Sequence, residues 1–243
     1  TSPDLTGVSP WVFRVISSDS ANGIDLARFA ARLGAQRAAI LYENNVYGRG
    51  LTDAFRRSFP GEIISIDPIS DAGDQDFEPF VSYYKRTAPE IVFVAGTEAS
   101  GMTLLREAKR QSLTARFLGG DGWTGIVADA NAAEGAYVGA PFTDADTRPE
   151  VRRFVDAFLA KYERVPDGNA ALAYDATMVI ARALAKQGAS RPRVREFLAD
   201  LRARSALPGV TGPIAFHANG DPVGKSFVMT RVRRGALVPE TQK

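Results

Sequence analysis

The stretch EIVFVAGTEASGMTLLREAKRQ, residues 90–111, decides the fold class of this 243-residue chain. It opens with the uninterrupted apolar run Ile91–Ala95, which has the length of a strand. Helical spacing follows, since Met102, Leu105 and Ala108 share one face of the next segment. A strand that is apolar on both faces needs helices on both sides of its sheet. The stretch therefore predicts one strand–helix unit of a parallel α/β sheet.

The same alternation of strand and helix extends on both sides of this unit. The predicted strands are Trp11–Ile16, Arg37–Tyr42, Glu62–Ile66, Ile91–Ala95, Arg116–Leu118 and Gly135–Gly139. The predicted helices between them are Gly23–Leu33, Gly48–Phe59, Phe77–Thr87 and Ser100–Gln111. This order is typical of a doubly wound α/β domain.

The pattern changes after Gly139. Three helical segments are predicted, at Glu150–Tyr162, Ala170–Gln187 and Arg193–Ala203. Two β segments follow, Ile214–Phe216 and Ser226–Val232, and the turn Asn219-Gly220-Asp221 is predicted to join them as a hairpin. Three helices and a hairpin need a sheet to cover, and no further strands are predicted nearby.

Composition excludes several classes of function. There are 30 basic and 28 acidic residues, a net charge of +2, which argues against nucleic acid as the main partner. No apolar run approaches the length of a membrane span, so we expect no direct membrane insertion. The absence of cysteine rules out thiol chemistry and thiolate metal sites, and a single histidine, His217, rules out His-rich ones.

The motifs of common enzyme sites are also missing from the sequence. There is no phosphate loop, no dinucleotide-binding glycine motif and no nucleophile elbow. His217 lies two residues before Asn219 of the turn, where a surface histidine is the favoured interpretation. We therefore expect no catalytic residues, no metal and no cofactor.

Polar side chains follow the predicted strands, at the edge where ligands bind in open parallel sheets. They are Ser17, Ser18 and Asp19; Glu43, Asn44, Asn45 and Tyr47; Thr97 and Glu98; and the loop Gly119-Gly120-Asp121-Gly122-Trp123.

Each candidate in this group has a functional and a structural interpretation. Asp121 is either a counter-ion for a ligand ammonium group or an N-cap or turn residue. Tyr47 either covers a ligand or packs at the start of its helix. Thr97 offers a hydroxyl to a carboxylate or caps its helix. Glu98 fits a surface position near a helix N-terminus better than a ligand contact, and Trp123 suits either rim or core.

The order of several short motifs resembles the type I periplasmic ligand-binding proteins, particularly the leucine/isoleucine/valine-binding branch that serves ABC transporters. The matching stretches cover nearly the whole chain. They are Thr1–Thr6 with Phe13-Arg14, Tyr47–Leu51, Asp76-Phe77, Pro89–Phe93, Phe117–Gly122, Ala171–Ala176, Gly212–Phe216 and Asn219–Asp221.

The resemblance implies two α/β lobes that close on a ligand. Residues 14–143 would form lobe 2, residues 1–13 and 144–225 the remainder of lobe 1, and residues 226–243 a terminal strand and tail near the hinge. It also implies that Thr1 helps to hold the ligand carboxylate, that Tyr47 covers the ligand and that Asp121 binds its ammonium group. Thr97 stands where relatives often have tyrosine, which leaves the side-chain preference open.

Family members normally carry about a hundred further residues, a domain's worth, before the stretch that matches Thr1. We therefore expect the N-terminal strands of lobe 1 to be absent and some apolar helix faces to be uncovered. The resemblance implies a periplasmic receptor that captures an amino acid, or an aromatic or aliphatic carboxylate, for an ABC permease. A ligand-sensing regulator of the same fold is the alternative, and a hydrolase or lyase using Asp121 or Glu98 is a more distant one.

Overall fold

The computed structural model describes residues 1–70 and 75–240. The chain forms two compact units: unit 1 is Thr1–Ser18 with Pro141–Phe227, and unit 2 is Asp19–Ala140 with Val228–Lys243. These boundaries lie within five residues of the predicted 14–143, but the predicted terminal segment 226–243 is divided. Residues 241–243 lie outside the described part. The assignment of the units to the lobes of a clamp stays a prediction.

Unit 2 is built on a seven-stranded sheet in the order β2-β1-β3-β4-β5-β6-β7. Strands β1 to β5 pair in parallel, and β6 and β7 extend the sheet antiparallel. The strands are β1 (Arg37–Glu43), β2 (Glu62–Ile69), β3 (Ile91–Ala95), β4 (Arg116–Gly119), β5 (Tyr137–Ala140), β6 (Val228–Arg233) and β7 (Ala236–Pro239). The predicted doubly wound sheet is confirmed.

Helices cover both faces of this sheet. They are α1 (Asp19–Arg32), α2 (Val46–Ser58), α3 (Glu78–Thr87), α4 (Glu98–Arg110) and α5 (Ala130–Ala133). Successive residues of β3 alternate between the two faces: Phe93 packs in the core under α1 and α2, while Val92 and Val94 pack in the core under α3 and α4. This two-sided burial is the physical reason for the uninterrupted apolar run that decides the fold.

Trp123 belongs to the core. Its side chain is fully buried and lies against Gly119 at the end of β4 and Gly101 in α4. A Cβ atom at Gly119 would come within 2.1 Å of the indole ring. The two glycines therefore supply the space that the indole fills.

The predicted strand Trp11–Ile16 is wrong. The segment belongs to unit 1 and meets a turn rather than another strand, with one backbone hydrogen bond from Arg14 N to Gly220 O of 2.9 Å. The ring of Phe13 packs edge-on against Phe216, 5.1 Å between centroids. Apolar composition indicated burial correctly here, but a strand also requires a neighbouring ladder. Consequently Ser17, Ser18 and Asp19 do not follow a strand, and Asp19 begins α1.

The predicted C-terminal hairpin is wrong in its pairing. The turn at Asn219–Asp221 forms, with Gly220 at φ +83°, but Ile214–Phe216 makes only isolated bridges within unit 1. Strand β6 pairs instead with β5 and with β7, a strand that the sequence analysis missed. The β6–β7 turn uses Arg234 and Gly235, both at positive φ, a two-residue turn without the usual Asn-Gly signal.

Unit 1 contains three long helices, α6 (Pro149–Tyr162), α7 (Gly168–Gln187) and α8 (Arg191–Asp200), close to their predicted positions. Its described residues form isolated β-bridges but no continuous strand. One side of α7 leaves apolar residues exposed, as expected for a helix without a sheet to cover. They are Tyr174, Met178, Ile180 and Leu184. No helix in the described ranges is long and apolar enough to cross a membrane.

A buried ion pair holds unit 1 together beside α7. The Asp175 carboxylate accepts hydrogen bonds from the backbone N of Val210 and of Thr211, at 2.8 and 2.9 Å. Lys225 Nζ lies 3.8 Å from the same carboxylate and donates to the Thr211 carbonyl oxygen at 3.0 Å. Burial lowers the pKa of Lys225 to about 8, with nearby Arg148 acting in the same direction and Asp175 opposing it.

The buried Lys225 should give stability a distinct pH dependence. Between pH 8 and its ordinary value of 10.5, Lys225 is neutral in the folded chain and protonated in the unfolded chain. Unfolding then takes up a proton, so the free energy of unfolding should rise with pH by on the order of 2 kcal/mol across this interval. Lys225→Met should lack this rise in denaturant titrations, whereas Lys85→Met, at an exposed position, should keep it. If the free energy of unfolding depended on pH in the same way in wild type and in Lys225→Met, the lowered pKa of Lys225 would be contradicted.

The contact of Gly119 with Trp123 predicts a steric cost at the end of β4. Gly119→Ala should lower the free energy of unfolding by about 1–3 kcal/mol, because its Cβ overlaps the indole ring. In a Trp123→Leu background the same alanine should cost less. Urea denaturation of the four proteins measures this coupling, and an equal cost in both backgrounds would place the strain elsewhere.

Candidate functional site

The candidate site lies at the carboxyl edge of the unit 2 sheet, where β1, β3 and β4 end. The chain leaves β1 for α2 on one face of the sheet and leaves β3 for α4 on the other face. Such a change of face opens a crevice between adjacent strands, the usual ligand position in open α/β sheets. Glu43, Thr97 and Asp121 follow or end these three strands.

Asp121 lies at the centre of a hydrogen-bonded cluster. Its Oδ1 accepts from Asn22 Nδ2 at 2.9 Å and from the Tyr47 hydroxyl at 3.0 Å. No side chain among the described residues of unit 2 donates a hydrogen bond to its Oδ2. The N-cap position of the following 3₁₀ helix, Asp121–Asp129, belongs to Gly120, so the N-cap interpretation of Asp121 is wrong.

Tyr47 holds the glycine loop that carries Asp121. Its hydroxyl accepts from Gly122 N at 3.1 Å while donating to Asp121. A Cβ atom at Gly120 or at Gly122 would lie 3.0 Å from this hydroxyl, so both glycines allow the ring to approach. The α2 helix that presents Tyr47 is capped by Asn45, whose Oδ1 accepts from Gly48 N at 2.9 Å. The hydroxyl of Tyr47 is therefore committed to the loop.

Burial sets the protonation of this pair. It raises the pKa of Tyr47 well above 10, and the negative charge of Asp121 acts in the same direction. Tyr47 therefore stays protonated and remains a donor. Burial also raises the pKa of Asp121, while the hydrogen bonds from Tyr47 and Asn22 lower it.

Thr97 belongs to a second cluster, centred on Glu43. Glu43 is 2% exposed, and its Oε1 accepts from Thr97 N at 2.8 Å, Thr97 Oγ1 at 2.6 Å and Ser100 Oγ at 2.9 Å. Its Oε2 accepts from Asn45 Nδ2 at 3.2 Å. Thr97 occupies the N-cap position of α4, but its side chain makes no capping hydrogen bond, so capping does not account for its hydroxyl. Its hydroxyl proton is used by Glu43, which leaves its oxygen as an acceptor.

The two clusters meet through the loops after β3 and β4. A Cβ atom at Gly122 would lie 2.7 Å from the carbonyl oxygen of Gly96. The structure thus brings Tyr47 and Asp121 into direct contact and places Thr97 on the adjoining loop. Glu98 is exposed, and its carboxylate lies over Gly125.

Thr1 lies in unit 1, where its backbone oxygen accepts from Arg14 Nη1 at 3.2 Å. Arg14 is buried and also pairs with Asp221, which in turn accepts from the Thr6 hydroxyl at 2.9 Å. The motifs at the two ends of the sequence are therefore joined in one network. His217 is exposed in this unit, at the turn where the sequence places it.

Asn22 is the site residue that the sequence analysis missed. It lies in α1, away from the loops after strands where the sequence predicts ligand-binding side chains. A usable signal exists, because Asn22 shares a helix face with the buried Leu26 and Phe29. A polar amide on an apolar face requires a specific partner.

Comparison with known proteins gives the family. The model of the periplasmic binding protein family matches residues 1–236. A leucine-, isoleucine-, valine-, threonine- and alanine-binding protein of Pseudomonas aeruginosa is 29% identical over 252 aligned positions, which cover 100% of this chain and 66% of that protein. The chain thus spans just under two thirds of the length of this relative.

Two solved structures are similar over nearly the whole chain. A leucine binding protein from Thermotoga maritima is 28% identical with a TM-score of 0.87, covering 96% of this chain and 68% of that one. An ABC transporter substrate-binding protein from Desulfitobacterium hafniense, solved in complex with Leu, is 29% identical with a TM-score of 0.84, covering 99% and 71%. The fold and the sequence pattern agree: the chain belongs to the periplasmic binding protein family.

Proposed function

We propose that this protein is an extracytoplasmic solute-binding receptor that captures a small amino acid and delivers it to an ABC permease without chemical change. The observation that carries the proposal is Asp121, a largely buried carboxylate at the crevice. One of its oxygens accepts from two side chains, and the other has no side-chain donor from unit 2. An acceptor of this kind suits a ligand that brings its own positive donors.

The charge requirement favours an amino acid over other carboxylates. A buried carboxylate is costly unless a donor or a cation pairs with it, and a ligand ammonium group supplies both. An aromatic or aliphatic carboxylate without an amino group would instead add a second negative charge beside Asp121. The three relatives described above are named for leucine and similar amino acids or were solved in complex with Leu, in agreement with this choice.

The ligand carboxylate needs donors of its own. We propose that the Thr1 hydroxyl contributes to its binding and that Thr97 and Tyr47 form part of the pocket wall. Tyr47 would contact the ligand through its aromatic ring, because its hydroxyl is already hydrogen-bonded to Gly122 N and Asp121. Thr97 contributes a small side chain, which leaves room for the side chain of the ligand. Its hydroxyl is oriented by the hydrogen bond to Glu43.

Binding without catalysis fits the state of these groups. The raised pKa keeps Tyr47 protonated at neutral pH, so it is a donor and not a base. The relatives described above are named for binding and not for a reaction. Delivery to a permease and an extracytoplasmic location follow from the role of substrate-binding proteins in ABC transport.

Calorimetric titration of the full-length protein with the standard amino acids tests the ligand class. We expect heat with one or a few aliphatic amino acids and a dissociation constant of about micromolar, as suits a scavenging receptor. The corresponding acids without the amino group should not bind. No heat with any amino acid, or equal binding of the deaminated acids, would contradict the proposal.

Replacing Asp121 tests the residue that carries the proposal. Asp121→Asn should weaken amino-acid binding tenfold or more, since a charge-assisted hydrogen bond contributes roughly 1.5–3 kcal/mol. Asp53→Asn, at an exposed position in α2, is the matched control and should bind like wild type. Unchanged affinity in Asp121→Asn would remove this carboxylate from the binding site.

A further inference from the structure

Asn22 is placed where an apolar residue would be expected. It is fully buried in α1 and shares its face with Leu26 and Phe29. Its Nδ2 donates to Asp121, 99 positions away in the chain, and its Oδ1 is buried without a hydrogen-bond partner. A residue kept for packing alone would not carry the cost of an unpaired buried acceptor.

The surroundings leave room for the amide. A Cβ atom at Gly120, in the loop after β4, would lie 3.2 Å from Asn22 Nδ2, and one at Gly139 in β5 would lie 3.2 Å from Asn22 Oδ1. Because both residues are glycines without a Cβ atom, the Asn22 amide fits between α1, the loop after β4 and β5. It is thereby held with its donor on Asp121.

Both donors of the cluster bind the same oxygen of Asp121. Asn22 and Tyr47 saturate Oδ1 from two different helices, which fixes the carboxylate and leaves Oδ2 without a side-chain donor from unit 2. Building on the proposed function, we propose that Asn22 is a positioning residue that holds Asp121 so that Oδ2 receives the ligand ammonium group. Asn22 acts through Asp121 and does not itself contact the ligand.

A positioning role of this kind has an electrostatic consequence. A hydrogen bond to a carboxylate favours the charged form, so loss of the Asn22 amide should raise the pKa of Asp121. Tyr47 on α2 and Asp19 on α1 are titratable groups that act on the cluster, and Glu43 lies beyond the adjoining loop; the variants leave all three in place. Protonated Asp121 cannot pair with an ammonium group, so binding should be lost at a higher pH than in wild type.

Two measurements on the full-length protein test the inference. The first is the pH titration of the Asp121 carboxyl carbon by NMR without ligand, and the second is calorimetric titration with leucine over a pH series. In Asn22→Leu the NMR midpoint should rise by about one unit, a tenfold change in proton affinity. The pH below which leucine binding is lost should rise by the same amount. The free energy of unfolding should not fall.

Controls separate this role from a structural one. Asn131→Leu, at an exposed position in α5, should leave both pH profiles unchanged. If Asn22→Leu does not fold, Asn22→Ala removes the same donor with a smaller side chain. An unchanged Asp121 midpoint, or an unchanged pH for the loss of leucine binding together with lower stability, would overturn the inference. If leucine and the other amino acids fail to bind wild type while the midpoint still rises, the proposed function fails and the hold of Asn22 on Asp121 stands.

Discussion

A carboxylate that is removed from water must be met by donors, and this constraint organises the carboxyl edge of the unit 2 sheet. Glu43 collects donors from the start of α4 and from the N-cap of α2. Asp121 collects donors from α1 and α2. Because each carboxylate draws on different elements, the loops after β1, β3 and β4 hold one another in place. Without these bonds the edge would be separate loops rather than a site.

Close approach of backbone atoms is the second requirement, and glycine meets it. A Cβ atom at Gly48 would lie 2.1 Å from the carbonyl oxygen of Glu43, so the start of α2 packs directly on the end of β1. Gly120 and Gly122 let Tyr47 reach the loop that carries Asp121. These glycines avoid positive φ. Their role is to leave space for hydrogen bonds that a methyl group would block, and not to provide an unusual backbone conformation.

Stability and binding make different demands on this edge. Glu43 is paired on both oxygens and acts as part of the scaffold. Asp121 keeps one oxygen without a side-chain donor from unit 2. Asn22 keeps a buried carbonyl oxygen without a hydrogen-bond partner, and its burial costs free energy that an apolar residue would avoid. The proposed ammonium site uses the oxygen of Asp121 that no side chain of unit 2 meets.

The sequence by itself determined the doubly wound sheet of unit 2, because an apolar strand such as Ile91–Ala95 needs cover on both faces, and it brought Tyr47 and Asp121 to one edge. It did not determine that Trp11–Ile16 pairs with no strand in the described part of the chain, since pairing depends on distant residues. Nor did it indicate that Thr97 is bound to Glu43, or that Asn22 holds Asp121. Only the tertiary structure decided these points, because a hydrogen bond between side chains far apart in sequence depends on how the helices dock on the sheet.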